Sequence, residues 1–232
     1  MTLMTKHPRI ALIHATRVAI DPIEEAARRL WPEAETMTLL EEGLSMDRQK
    51  SDDLTLALWD RIIGLAKYAE GAGSDGVLFT CSAFGKAIED AAESSSIPVM
   101  KPNEAMFDAA LAHGDRVAMI TTFAPAAAGM ESEFRDAAAQ RGVTAQIIPY
   151  FCPGALEAKR AGDDATHDQL IAELASRITE ADVIMLGQFS MAGAAEDVRK
   201  ATGIPILTSP EAAILEIRRR VEATNRGKAS CC

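Results

Sequence analysis

Short runs of Val, Ile, Leu and Met alternate along this chain with longer stretches whose apolar residues recur at helical spacing. The first run, residues 9–14, predicts a strand ending in His14-Ala15-Thr16. Pro22, a residue favoured in a first helical turn, opens a helix through Glu24-Glu25-Ala26-Ala27-Arg28-Arg29-Leu30. A strand over 35–40 follows, then a polar stretch, 44–51, that reads as a loop. Ser51-Asp52-Asp53 reads as the cap of a long helix over 54–70, with Leu54, Leu58, Ile62, Leu65 and Ala69 on one face. Val77-Leu78-Phe79 is the next strand and breaks off in Thr80-Cys81-Ser82. A helix over 84–93, a strand over 97–100 and a helix over 103–112 complete the first half.

The second half repeats the order. Strands are predicted over 116–121, 144–149, 183–187 and 204–208, and helices over 126–140, 167–178 and 192–201. Pro210 opens a last helix to about residue 223, and the polar tail after Asn225 reads as a disordered end. Regular strand–helix alternation is the signature of a parallel sheet covered by helices.

The halves also match residue by residue. With Cys81 placed on Gln188, an offset of 107 positions (188 − 81), Asp75 falls on Asp182, Glu89 on Glu196 and Asp90 on Asp197. Ile97-Pro98 falls on Ile204-Pro205, Arg9 on Arg116, Glu24 on Glu131 and Arg28 on Arg135. This ungapped register predicts an internal duplication: two similar α/β domains related by a pseudo-two-fold axis, with the active site in the cleft between them. Ligands of open α/β sheets bind at the carboxyl ends of the strands. That rule puts the Cys81 and Gln188 loops on the two walls of one site, with His14 and Thr121-Thr122-Phe123 as a second pair.

Composition narrows the chemistry. A net charge of −10 argues against nucleic acid, whose phosphates require a basic surface. No apolar stretch approaches the roughly 18 residues of a membrane span, and no signal peptide is evident. The four cysteines, Cys81, Cys152, Cys231 and Cys232, form neither a metal-ligand spacing nor a disulfide framework, which reads as a cytoplasmic protein with free thiols and no metal.

The duplicated halves, Thr80-Cys81-Ser82, Thr121-Thr122-Phe123 and Leu186-Gly187-Gln188-Phe189-Ser190-Met191 together resemble the aspartate/glutamate/hydantoin racemase superfamily over nearly the whole chain. The resemblance implies a cofactor-independent enzyme acting at the α-carbon of a small carboxylate, amino acid or hydantoin-like substrate. It also implies that the helix after the last strand of each half crosses to the other domain, so that domain one takes residues 1–102 and 210–232 and domain two 103–209. Such racemases use two cysteines, one per half, because inversion through a planar carbanion needs an acid and a base on opposite faces. Cys81 matches the first cysteine. Gln188 stands where the second belongs, and a carboxamide neither gives nor takes a proton at ordinary pH. A one-thiol decarboxylase of a substituted malonate, like arylmalonate decarboxylase of the same superfamily, and a binding protein without turnover therefore remain open. Ser82 and Ala83 are candidates to hold a substrate carboxylate, with Thr121, Thr122, Phe123, Ser190, Lys101, Asn103 and Thr208 as further lining residues. His14 is a candidate for the missing proton-transfer group, and Cys152 a weaker one, otherwise a loop packing residue. His167 reads as a solvated cap at a helix start. Dimers are usual among the relatives, so the resemblance implies a homodimer or a higher homo-oligomer.

Overall fold

The computed structural model describes residues 7–51, 53–122 and 124–230. The chain divides into two units, Met1–Asn103 with Ala213–Cys232, and Glu104–Ala212. In chain order the first unit contains β1 (Arg9–His14), α1 (Ile20–Leu30), β2 (Glu35–Leu40), α2 (Glu42–Arg48), α3 (Leu56–Gly71), β3 (Gly76–Phe79), α4 (Gly85–Ser94) and β4 (Val99–Met100). The second contains α5 (Glu104–His113), β5 (Arg116–Thr121), α6 (Ala124–Gln140), β6 (Gln146–Phe151), α7 (Ala155–Arg160), α8 (Asp164–Ala175), β7 (Val183–Leu186), α9 (Ala195–Ala201) and β8 (Ile206–Thr208). A last helix, α10 (Ser209–Ser230), starts in the second unit and belongs to the first from Ala213 onward.

Each unit is a four-stranded, all-parallel sheet, in the order β2-β1-β3-β4 and β6-β5-β7-β8. The hydrophobic runs explain which strands are central. β3 and β7 are buried at every residue, and β1 and β5 at all but the first, so these strands are apolar on both faces. Edge strands β2 and β6 stay partly exposed along most of their length. On one face of the first sheet Ala11, Ile13, Val77 and Phe79 meet Leu58, Ile62 and Ala66 of α3 and Ala87 and Ile88 of α4. At the other face α10 comes so close that a Cβ on Gly76 would lie 2.8 Å from Val221 Cγ2 and 3.1 Å from Ile217 Cδ1. Arg218 ties α10 down by donating to the Leu30 carbonyl at 3.1 Å, its guanidinium 6.0 Å from the Trp31 ring centre. In the second unit Ile171 and Ala175 of α8 and Val198 of α9 cover Ala118, Ile120, Ile184 and Leu186. Met106 and Phe107 of α5 and Phe134 of α6 cover the opposite face, Phe107 and Phe134 edge to face at 5.8 Å.

The likeness of the units extends to single hydrogen bonds. Asp75 accepts from the Arg9 amide at 2.9 Å and returns its own N–H to the Arg9 carbonyl at 2.7 Å. Asp182 does the same with Arg116, at 3.0 and 2.8 Å. Ser95 Oγ accepts from Ile97 N and Thr202 Oγ1 from Ile204 N, both at 3.3 Å. Strand pairs repeat at the same spacing: Ile10 faces Gly76 as Val117 faces Val183, and Val77 faces Val99 as Ile184 faces Ile206.

Several sequence expectations need correction. The register is not ungapped throughout. Arg9 pairs with Glu35 but Arg116 with Gln146, so β6 lies 111 positions after β2 (146 − 35), and 107 returns only at β7. The extra residues sit in the β5-to-β6 connection, where a sheet tolerates them. The expected loop 44–51 is largely helix α2, held by Arg61 through Asp47 at 2.7 Å and through Glu41. The cap of α3 is Thr55, whose hydroxyl accepts from Leu58 N at 3.4 Å. α8 starts earlier than expected, at Asp164, capped by Asp163. The polar tail continues as helix to Ser230; Cys231 and Cys232 lie outside the described residues.

Candidate active site

β3 ends at Phe79, and Thr80 N still donates to the Ile13 carbonyl at 3.0 Å, so the chain leaves the sheet just before Cys81. Cys81 is extended (φ −128°, ψ 121°) and caps a 3-10 turn, Ser82–Phe84, that runs into α4. Phe84 is buried and anchors that turn, which leaves Ser82 and Ala83 exposed and Cys81 half-buried. The thiol is therefore at the carboxyl edge of a parallel sheet, within reach of small molecules.

His14 ends the neighbouring strand and is fully buried. The Thr80 hydroxyl donates to the Ile13 carbonyl at 3.3 Å, which spends its single proton. The 2.9 Å contact between His14 Nδ1 and Thr80 Oγ1 must then be an Nδ1–H donated to Thr80. Nε2 carries the lone pair of that tautomer and has no partner. Burial lowers the ring's pKa from 6.5 to about 4, against a smaller opposing pull from Glu24. At neutral pH His14 has no Nε2 proton to give and is a weak base.

Gln188 occupies the same place in the second unit. It follows β7, is extended (φ −122°, ψ 149°) and caps the 3-10 turn Phe189–Ala194. Its side chain turns back onto the end of β5: Nε2 donates to Thr121 Oγ1 at 2.5 Å. Oε1 accepts from Thr122 N at 2.9 Å and from Thr122 Oγ1 at 3.3 Å. Thr121, Thr122 and Gln188 thus form one hydrogen-bonded group, as His14 and Thr80 do beside Cys81.

Of the remaining candidates, Lys101 lies over Gly85 and is ion-paired with Glu89. Asn103 and Thr208 are buried; Thr208 Oγ1 accepts from Glu211 N at 3.4 Å at the start of α10. Ser190 is half-buried in its turn, and Phe123 lies outside the described residues. Cys152 is buried among Ile171, Ala155 and Met191, and burial pushes its thiol pKa up, so it is a packing residue. His167 is no solvated cap: it is fully buried, with Nδ1 2.6 Å from Asp168 Oδ1. It shares the inward face of α8 with Ile171 and Ala175. Two residues escaped the sequence reading. Thr80 is the partner that fixes the His14 tautomer, and a polar residue closing an apolar strand was its signal. Arg48, at the end of α2, donates from Nε to the Ala83 carbonyl at 3.3 Å; nothing in a polar stretch singled it out. Among the described residues no cluster of His, Cys, Asp and Glu is built to hold a metal, and no helix is long and apolar enough to cross a membrane.

A parallel sheet repeated in two units, each with a capped turn at the end of its third strand, defines a duplicated α/β protein. The Asp/Glu/hydantoin racemase family model matches residues 12–217, and the chain belongs to that family. Solved structures share the fold. Allantoin racemase from Klebsiella pneumoniae superposes with a TM-score of 0.69 at 18% identity, covering 93% of this chain and 88% of that one. Glutamate racemase from Bacillus anthracis gives 0.68 at 14% identity, covering 94% and 83%. A glycine-to-cysteine mutant of arylmalonate decarboxylase, in its sulfate-associated form, gives 0.67 at 17% identity, covering 93% and 94%. No curated protein matches at the sequence level.

Proposed function

We propose that this protein is a cofactor-independent, racemase-type enzyme that uses Cys81 to move a proton at the α-carbon of a small carboxylate, amino acid or hydantoin-like compound. The observation that carries the reading is the position of Cys81: a half-buried thiol at the carboxyl end of β3, in a chain of the Asp/Glu/hydantoin racemase family. The Cys81 thiolate takes the α-proton, and the electron pair left on carbon spreads onto the adjacent carbonyl or carboxylate oxygen. The amides of Ser82 and Ala83, exposed residues at the start of the turn, are suited to stabilise that oxygen. Reprotonation from the same face restores the substrate and from the other face gives its antipode. With Gln188 in place of a second thiol, the second proton comes from water.

The tie of Gln188 to Thr121 and Thr122 favours one further reading. In a decarboxylase the bond to a carboxylate breaks, carbon dioxide leaves, and the Cys81 thiol protonates the carbon that keeps the electron pair. That chemistry needs one thiol, and arylmalonate decarboxylase is among the proteins whose fold this chain shares. One experiment separates the readings. The protein is incubated in heavy water with amino acids, hydantoins, allantoin and substituted malonates, and the α-proton is followed by NMR together with optical rotation and gas release. Exchange with loss of rotation supports the racemase, and carbon dioxide release supports the decarboxylase. Binding without either outcome contradicts both and leaves a carboxylate-binding protein.

A further inference from the structure

Among the described residues, most charged side chains near the Cys81 turn are ion-paired or exposed to solvent. On α2, Asp47 is paired with Lys50 at 2.9 Å and with Arg61 of α3 at 2.7 Å. Glu41 is also paired with Arg61, and Glu89 of α4 with Lys101 beyond β4. On β1, His14 is buried and bonded to Thr80, and on α4 Lys86 points to solvent. Arg48 is different. The residue is half-buried, and its guanidinium is held by backbone carbonyls: Nε donates to Ala83 O at 3.3 Å and Nη1 to Ser51 O. No carboxylate among the described residues pairs with it. A cation is therefore fixed to the turn two residues beyond Cys81 through the Ala83 carbonyl.

We propose that Arg48 is a positioning residue for Cys81: its guanidinium clamps the Ser82–Phe84 turn through the Ala83 carbonyl, and its uncompensated charge favours the Cys81 thiolate. This rests on the proton-transfer role given to Cys81 above, but its test needs no turnover. A fixed unit charge on the order of 10 Å from a half-exposed thiol changes the thiolate fraction about threefold. Reactive cysteines sit in electropositive, partly exposed surroundings for this reason.

The test is the pH dependence of Cys81 alkylation by iodoacetamide, read by mass spectrometry of the Cys81 peptide so that the other three cysteines do not interfere. It is done on the full-length protein and on Arg48→Met and Arg48→Lys, with circular dichroism to verify folding. In Arg48→Met the midpoint is expected to move up by about half a pH unit, and the rate at pH 7 to fall about threefold. Arg48→Lys keeps the charge without the planar fork and is expected to stay near the wild-type midpoint. An unchanged midpoint in Arg48→Met overturns the proposal, as does an equal shift in both variants, which would mean that clamping alone matters. If Arg48→Met does not fold, Arg48→Gln replaces it, read in the same way. A failed alkylation test with intact α-proton exchange rejects the role of Arg48 and leaves that of Cys81. Unchanged α-proton exchange in Cys81→Ala rejects the proton-transfer role of Cys81 and leaves the alkylation result for Arg48 standing.

Discussion

Cys81 and Gln188 hold equivalent places, each extended and each capping a 3-10 turn after the third strand of its sheet, yet only one side chain can exchange a proton. The remaining polar groups of the second strand-end cluster are spent on one another through the Gln188 carboxamide. Gln188→Cys restores a thiol at the position equivalent to Cys81 and is expected to introduce or raise racemisation of whatever substrate exchanges its α-proton. Chiral chromatography of the reaction checks this, and an unchanged ratio of antipodes would mean that position 188 does not act at the reacting carbon. The pairing of Cys81 with Gln188 was legible from the offset alone. What Gln188 does with its amide was not, because its partners come from a strand 66 and 67 positions away. His167 misled for a related reason: its neighbours in sequence are polar, and only its alignment with Ile171 one turn on shows that it faces the core.

Among the elements, the buried strands were legible because central parallel strands are apolar on both faces and so stand out as continuous runs. Helix α2 was not. Glu42-Gly43-Leu44-Ser45-Met46-Asp47-Arg48 includes Gly and Ser, poor helix formers, and buries only Leu44, so tertiary ion pairs with Arg61 stabilise what propensity does not. The shift to 111 positions at β6 was hidden because none of the matching residues falls between Arg28 and Asp75, the interval that holds β2. At Gly76 the sheet and α10 leave no room for a side chain. Gly76→Ala places a methyl 2.8 Å from Val221 Cγ2, and is expected to cost about 1–3 kcal/mol in urea unfolding while sparing the geometry of Cys81. A variant as stable as the wild type would show that α10 is not seated on β3 as described.

For the whole molecule, His14 makes stability depend on pH. Burial lowers its pKa to about 4, below the 6.5 of an exposed ring, so the unfolded chain binds this proton more readily than the folded one. The contribution is complete above about pH 6.5 and is lost as pH falls toward 4, up to about 3 kcal/mol. Glu216, held to about 2 by Arg219 first and then Arg220, acts mostly below that window. Urea unfolding at pH 7.5, 5.5 and 4.5 is expected to show the loss in the wild type and a flatter profile in His14→Asn. Equal slopes in both would mean that the ring is not buried neutral. The division into two units places α5, which follows β4, in the second unit, and α10 from Ala213 onward, although it follows β8, in the first, an assignment that a linear scan of periodicity cannot show.

Proton transfer by Cys81 is tested most directly by α-proton exchange in heavy water, comparing the wild type with Cys81→Ser and Cys81→Ala on the best substrate the panel yields. Both variants are expected to fold as the wild type does and to lose exchange by at least about a hundredfold, the scale on which a positioned acid–base group acts. Full exchange in either variant would contradict the role assigned to this thiol.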